Sequence, residues 1–335
     1  MSLSELVKQA ISEQWSFLSE ATFEPAAQGS SRAVYFVRAS DHQFVLKFYA
    51  ATTAISQIRY EHSLLTFLDS THLPFTIPVP IQTASGETCI AVEVDGQLLN
   101  VTLLPRLIGH PMERRNLHQI QAAGFALATL HNALVQFDPQ GQFARLPFWG
   151  ALDEIHPQVS DPFTVPQLLQ LGLEEQRRLN QLLNETIESA PELYATRPIQ
   201  TIHADYLSPN ILVDRDRVVG VLDFEFATRD LRLLDYMSSL DKFASFPWQE
   251  VLFEDILRAF STGYQACSPL TRSEMKAAIS MWKLQRASSL VYWTGWLVEG
   301  KGNHQKIVDA VMETLRFETW LDSNQQKWID ALGFA

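Results

Sequence analysis

Cysteine is nearly absent from this chain: two residues in 335, Cys89 and Cys267, far apart and outside any C-x-x-C pair. That argues against a disulfide framework and reads as two reduced core residues of a cytoplasmic protein. Long apolar runs are also missing. Lys283, Arg286 and Glu299 interrupt the apolar stretches of the last third, so none reaches the ~20 residues of a membrane span. The first residues, M-S-L-S-E-L-V-K-Q, lack the basic region and apolar core of a secretory signal. Positive charge is scarce: 26 Lys and Arg against 38 Asp and Glu give a net charge of −12. Nucleic acid and anionic membrane both reward a basic surface, so neither is an expected partner. A cationic or zwitterionic small molecule is compatible. No repeat, coiled coil or low-complexity segment occurs. With 46% hydrophobic residues, the chain can bury a large core and is expected to form two lobes.

What is present concentrates between Ile202 and Ala227. There His203, Asp205 and Asn210 are spaced H-x-D-x4-N, and Asp223 follows the apolar run Val218-Val219-Gly220-Val221-Leu222. Alone, S-P-N reads as a turn and an Asp before it as a cap. In conjunction, an apolar entry (Pro198 to Ile202), Ile211-Leu212-Val213, a D-R-D turn and a second apolar run make a short hairpin with acid and amide groups at both ends. Phosphoryl transfer to a hydroxyl needs a positioned acceptor, neutralised phosphate charge and magnesium. Asp205 can accept the acceptor's proton, Asn210 and Asp223 offer the hard oxygen ligands magnesium prefers, and His203 braces the loop.

The loop H-A-D-Y-L-S-P-N followed by L-D-F-E resembles the aminoglycoside phosphotransferase/choline kinase family, whose loop usually reads H-G-D-x-H-x-x-N and whose metal motif reads I-D-F/W-x. Ala204 and Leu207 depart from that pattern. The stretch Gly220 to Ala227, with Asp235 downstream, is similar to the homoserine-kinase and choline-kinase branches. The resemblance covers Phe23 to Leu240. It implies an α+β, bilobal, protein-kinase-like fold, with a small N-terminal β-sheet lobe carrying a helix and a larger, mainly helical C-terminal lobe.

Such a fold requires a second constellation upstream. Two strand-like runs, Ala33 to Ala39 and Phe44 to Tyr49, flank a polar turn. Lys47 stands near the end of the second, where kinase-like enzymes carry the lysine that reaches the α- and β-phosphates; an ordinary solvated strand lysine would look the same. The preceding loop has one glycine, Gly29, where protein kinases have three. Backbone amides of Gly29, Ser30 and Ser31 could cradle phosphate, and so could an ordinary turn be built from them. Ile55 to Leu68 has helical apolar spacing. It places Glu61 fourteen residues past Lys47, where a Lys–Glu ion pair would orient the lysine.

The expected layout is a nucleotide-binding lobe over residues 1–103, a linker over 104–109 and a catalytic and substrate-binding lobe over 110–335. Strands Thr88 to Val94 and Leu98 to Leu104 meet at Asp95-Gly96, a hairpin turn. Pro105 lacks a backbone donor, which directs adenine contacts to Leu104 or Arg106-Leu107. Helices are expected over Leu117–Leu134, Glu174–Ala190, Val251–Ala266, Arg272–Val298 and His304–Leu321. His131, on the first, reads as a structural histidine. Trp282, Tyr292, Trp293 and Trp296 could box an amine or simply pack between helices. Arg229 and Arg232 either hold a substrate carboxylate or flank a helix start. Glu225 is a candidate second-layer or substrate contact, or a strand residue facing solvent.

The reading is an enzyme that moves the γ-phosphoryl of ATP, with Mg2+, to a hydroxyl of a small molecule. A serine/threonine protein kinase is the alternative, but it would show Lys where Leu207 stands and a peptide-binding segment after Asp223. A non-catalytic nucleotide binder would have lost at least one of Lys47, Asp205, Asn210 or Asp223, and all four are present.

Overall fold

The protein is described by a computed structural model over residues 3–26, 34–142, 144, 146–244 and 253–333. The described residues fall into two compact units: Met1–His110 with Phe137–Phe143 and Val219–Glu225, and Pro111–Gln136 with Ala144–Val218 and Phe226–Ala335.

In the first unit, α1 (Glu5–Gln14) starts at Ser4, whose hydroxyl accepts the Val7 N–H (3.3 Å). Such a cap satisfies one of the orphan donors of the first turn. Strands β1 (Thr22–Pro25), β2 (Val34–Ala39), β3 (His42–Phe48), β4 (Ile90–Val94) and β5 (Gln97–Pro105) form one antiparallel sheet in the order β1-β2-β3-β5-β4. The Asp95-Gly96 turn takes positive φ at both residues (50° and 78°), as a two-residue hairpin connection demands. Alternation along β3 divides its side chains. Leu46 and Phe48 join Val7, Ile11, Trp15 and Val101 in an apolar core; burying Leu46 alone contributes about 2 kcal/mol. Lys47 faces the other way, toward α2 (Ile55–Asp69).

In the second unit, β6 (His110–Pro111) leads to α3 (Leu117–Leu134), capped by Asn116 Oδ1. Next come α4 (Val165–Leu168), α5 (Leu173–Thr196), β7 (Ile199–Ile202), β8 (Ile211–Asp214) and β9 (Arg217–Val221), whose last residues belong to the first unit. Strand β10 (Thr228–Leu231) pairs antiparallel with β7. Helices α6 (Arg232–Ala244), α7 (Phe253–Cys267), α8 (Arg272–Lys276), α9 (Ala278–Val298) and α10 (His304–Ala331) complete the unit. α9 is apolar on nearly all sides and is correspondingly buried, packing with α5, α6 and α10.

The helix expected over Arg272–Val298 is two helices meeting at Ala277, and the last helix runs ten residues beyond Leu321. Both cysteines are free, and both are half-buried rather than in the core. Among the described residues no helix is long and apolar enough to cross a membrane.

Candidate active site

The first unit gathers three of the expected residues around the ammonium group of a fourth. Lys47 Nζ lies 3.2 Å from Glu61 Oε1, 3.1 Å from Glu225 Oε2 and 3.5 Å from Asp223 Oδ1. Thr76 brings the last two there. It pairs in parallel with Gly220, giving its N–H to the Val219 carbonyl (2.9 Å) and accepting from Val221 N (3.0 Å). Asp223 then adopts a left-handed φ of 61°, an uncommon conformation outside glycine that marks functional turns. Glu225 sits in a short 3-10 turn, Phe224–Phe226, and its carboxylate is buried, so the solvent-facing alternative does not apply.

Glu61 is itself held. The Tyr49 hydroxyl donates to Glu61 Oε2 (3.1 Å) and touches His62 Nε2 (3.3 Å), while Thr88 and Thr102 hydroxyls complete the His62 shell. Burial lowers the His62 pKa to about 4, so the ring is neutral. Burial, reinforced by Glu61, pushes the Tyr49 phenol well above its ordinary value. Three carboxylates around one ammonium leave two negative charges in excess, which is the environment a divalent cation completes. Among the described residues no three His, Cys, Asp or Glu side chains form a ready metal cage.

The second unit holds the H-x-D-x4-N loop. His203 is fully buried. Its backbone N–H and that of Ala204 both donate to Asp235, at 2.8 Å (Oδ2) and 3.0 Å (Oδ1), and its ring Nδ1 accepts from Asp205 N (3.2 Å). Asp235, in the first turn of α6, also meets His131 Nε2 at 3.1 Å, and His131 Nδ1 lies 2.7 Å from the Tyr264 hydroxyl. Asn210 Nδ2 donates to both Asp205 O and Asp205 Oδ2 (2.9 Å each). Both bonds use the Asn210 amide nitrogen, and they fix the Asp205 carboxylate. Arg114 Nε donates to Ser208 Oγ (3.1 Å), and the Tyr206 hydroxyl to Ala123 O (3.0 Å).

Lys47, Glu61, Asp223 and Glu225 therefore converge in one unit, and His203, Asp205 and Asn210 in the other. Leu104 pairs with Val45 inside β5. Arg106 gives its N–H to Gln43 O (3.0 Å) and lays its guanidinium over the Phe36 ring. Gly29, Ser30 and Ser31 lie outside the described residues. Arg232 makes a bidentate ion pair with Glu274 (2.6 and 2.7 Å), a helix anchor; Arg229 is exposed. Of the aromatic quartet, Trp282 packs on Phe317, apart from the cluster of Tyr292, Trp293 and Trp296. Sequence reasoning missed Tyr49, His62, Arg114 and the part His131 plays. Tyr49 carried a usable signal, because it shares the strand face of Lys47.

The profile of the phosphotransferase enzyme family matches residues 22–270. The chain belongs to that family. A homoserine kinase of Polaromonas naphthalenivorans (strain CJ2) is 27% identical over 271 residues, covering 80% of this chain and 79% of that protein. A homoserine kinase of Methylobacillus glycogenes is 27% identical over 278 residues, covering 80% and 76%. Among solved structures, a microcompartment-associated aminopropanol kinase superposes with a TM-score of 0.75 at 18% identity, covering 94% of this chain and 98% of that one. A choline kinase of Cryptosporidium parvum gives 0.61 at 11% identity, covering 96% and 97%. The fold is thus the kinase-like α+β fold. This member of the phosphotransferase family is an enzyme that phosphorylates an alcohol group of a small molecule.

Proposed function

We propose that the enzyme transfers the γ-phosphoryl group of ATP to the hydroxyl of a small amino alcohol, hydroxy amino acid, sugar or aminoglycoside, with magnesium. The observation that carries this reading is the Lys47 ammonium held between Glu61, Glu225 and Asp223. Lys47 binds the donor's phosphates, and Glu61, fixed by Tyr49, orients it. Asp223 and Asn210 supply oxygen ligands to magnesium, which when bound neutralises phosphate charge. Asp205 takes the acceptor's proton. Its backbone N–H on the His203 ring and its carboxylate on the Asn210 amide keep it from rotating away, and such fixed geometry supplies much of the rate in phosphoryl transfer.

Leu104 and Arg106 are the proposed adenine contacts, within a linker over 104–109 that joins the nucleotide-binding residues 1–103 to the catalytic residues 110–335. Because Gln43 O already holds the Arg106 N–H, its carbonyl is the group offered to the base. Gly29, Ser30 and Ser31 are proposed to cradle phosphate. We place the activity in the cytoplasm, which fits two cysteines that remain thiols. A small acceptor is favoured over a protein, since α6 begins at Arg232, soon after Asp223. The curated relatives named homoserine kinase support an acceptor of that size.

The test is ADP release by purified protein with ATP, magnesium and a panel of alcohols, alongside protein substrates. Turnover of at least one alcohol is expected. Asp205→Asn should lower kcat by about 10²–10⁴-fold, the usual weight of a catalytic base, with ATP affinity nearly unchanged. Robust labelling of protein substrates with no alcohol turnover would overturn the reading.

A further inference from the structure

Away from the H-x-D-x4-N loop, the second unit buries charge in two places. One is a joint between helices: Arg286 on α9 reaches Asp241 Oδ1 on α6 (2.7 Å) and Glu313 Oε1 on α10 (3.5 Å). The other is Asp230, a fully buried residue of β10. Its Oδ2 accepts the Trp149 N–H (2.7 Å), and its Oδ1 accepts the Tyr194 hydroxyl (2.8 Å) and the N–H of Leu231 (2.6 Å). Three donors converge on two oxygens, so the position demands a side chain that only accepts. Asparagine, the isostere, would turn an N–H2 group toward one of them. Burial raises the Asp230 carboxyl to about 6, against the pull of the same three hydrogen bonds.

These bonds strap residues 146–150 across β10. The Thr228 hydroxyl donates to Leu146 O (3.1 Å), the Gly150 N–H to the Tyr194 hydroxyl (2.9 Å), and the Ser288 hydroxyl on α9 to Trp149 O (2.6 Å). A Cβ at Gly150 would overlap the Tyr194 ring, so the strap needs glycine there. With its backbone pinned at both N–H and C=O, Trp149 sets its ring against Tyr292 (centroids 5.8 Å apart), and Tyr292 packs on Phe226 (6.2 Å). Phe226 directly follows Glu225, one of the carboxylates at Lys47. The Trp149 indole N–H is buried and has no hydrogen-bond partner among the described residues. A buried donor left unmatched is costly, and native proteins seldom retain one without a reason.

We propose that Asp230 is a positioning residue for the acceptor: its carboxylate sets Trp149, whose indole N–H donates to an oxygen of the bound alcohol. That oxygen is a second one, because the reacting oxygen has to face Asp205 and the phosphoryl group. Of the acceptor classes given above, hydroxy amino acids, sugars and aminoglycosides carry such an oxygen, and an amino alcohol with a single hydroxyl does not. The word acceptor rests on the phosphotransferase reading; the link from Asp230 to Trp149 does not.

The experiment has two arms, both on the full chain. In the first, 5-fluorotryptophan is incorporated and the Trp149 fluorine line is identified by its loss in Trp149→Phe. Asp230→Asn, confirmed as folded by circular dichroism, should shift or broaden that line and leave the other tryptophan lines nearly unmoved. Tyr194→Phe, which keeps the bond from Trp149 N to Asp230, should move it less and serves if Asp230→Asn does not fold. In the second arm, kinetics use the alcohol with the fastest ADP release in the panel above. Asp230→Asn should raise its KM about tenfold, the weight of one hydrogen bond, with kcat within a few fold and calorimetric ATP affinity unchanged. Combined with Trp149→Ala it should raise KM no further, because it acts through that ring. An unmoved Trp149 line, a fall in kcat at constant KM, or additive effects in the double variant would make Asp230 a structural strut only and overturn the proposal. Absence of ADP release with every alcohol would instead sink the phosphotransferase reading.

Discussion

Ala204 holds a left-handed backbone, φ 62°, between two residues of the catalytic loop. A side chain in that region costs about 1–2 kcal/mol relative to glycine, and the H-G-D form of this loop places glycine there. What holds Ala204 in place is Asp235, whose two oxygens take the adjacent N–H groups of His203 and Ala204. Ala204→Gly should therefore raise stability by up to about 1 kcal/mol, after allowing for glycine's extra freedom when unfolded, and leave kcat within a few fold. A melting curve with steady-state kinetics checks both. Lys47→Met should lower kcat/KM by about 10²-fold or more, since phosphate charge would go unmatched, while removing no core packing from Leu46 and Phe48. At this scale the Lys47–Glu61 ion pair was legible, because a strand followed by a helix places a carboxylate fourteen residues on within reach of the lysine. Asp241, Arg286 and Glu313 were not: three charges scattered over 241–313 meet only when α6, α9 and α10 pack, and each alone looks like a solvated residue on an amphipathic helix.

Among the elements, the crossing of α3 and α7 is the tightest. A Cβ added to Gly124 would overlap the Phe260 carbonyl, and one added to Gly263 would overlap the Gln121 carbonyl. Both obstacles are backbone, which cannot rotate aside. Gly124→Ala or Gly263→Ala should each destabilise the protein by about 2–3 kcal/mol through forced separation of the helices, read as a lower urea midpoint. The boundaries of α3 were legible from its apolar character. The break at Ala277 was not, because neither glycine nor proline marks it; the Thr271–Glu274 capping box fixes the start of α8, not its end. The end of α10, expected at Leu321, lies at Ala331. The chain instead kinks at Asn324, whose side chain donates to the Trp320 carbonyl (2.8 Å), and continues helical.

For the whole molecule, pH dependence follows from its buried carboxyls. Glu313 sits above its ordinary 4.5, at about 7, because burial and Asp241 outweigh the pull of Arg286 and Lys242. The folded state thus keeps a proton that the unfolded chain gives up. The associated stability is complete below pH 4.5 and is lost as pH rises through 7. Relative to Glu313→Gln, the wild type should lose about 1 kcal/mol between pH 5 and pH 8, after discounting for solvent screening, measurable as converging or diverging melting temperatures. A constant difference across that range would contradict the assignment. The α+β fold class, an antiparallel N-terminal sheet followed by a mainly helical remainder, was legible through the family resemblance that the H-x-D-x4-N and D-F-E motifs carry. The buried polar network was not, since it depends on which helices meet.

The glycine crossing has a consequence for the chain's birth. Its two sides, Gly124 and Gly263, are separated by 139 residues of sequence. At ribosomal speeds of about 5–20 residues per second, α3 emerges roughly 7–28 s before the helix that covers it. Throughout that interval the face of α3 at Gln121, Gly124 and His131, which Phe260, Gly263 and Tyr264 later cover, has no partner. Nascent chains halted before Phe253 should bind chaperones and aggregate, and chains released after Cys267 should do so far less. Slower translation across α5 and β7 would lengthen the exposure and lower the yield of active enzyme.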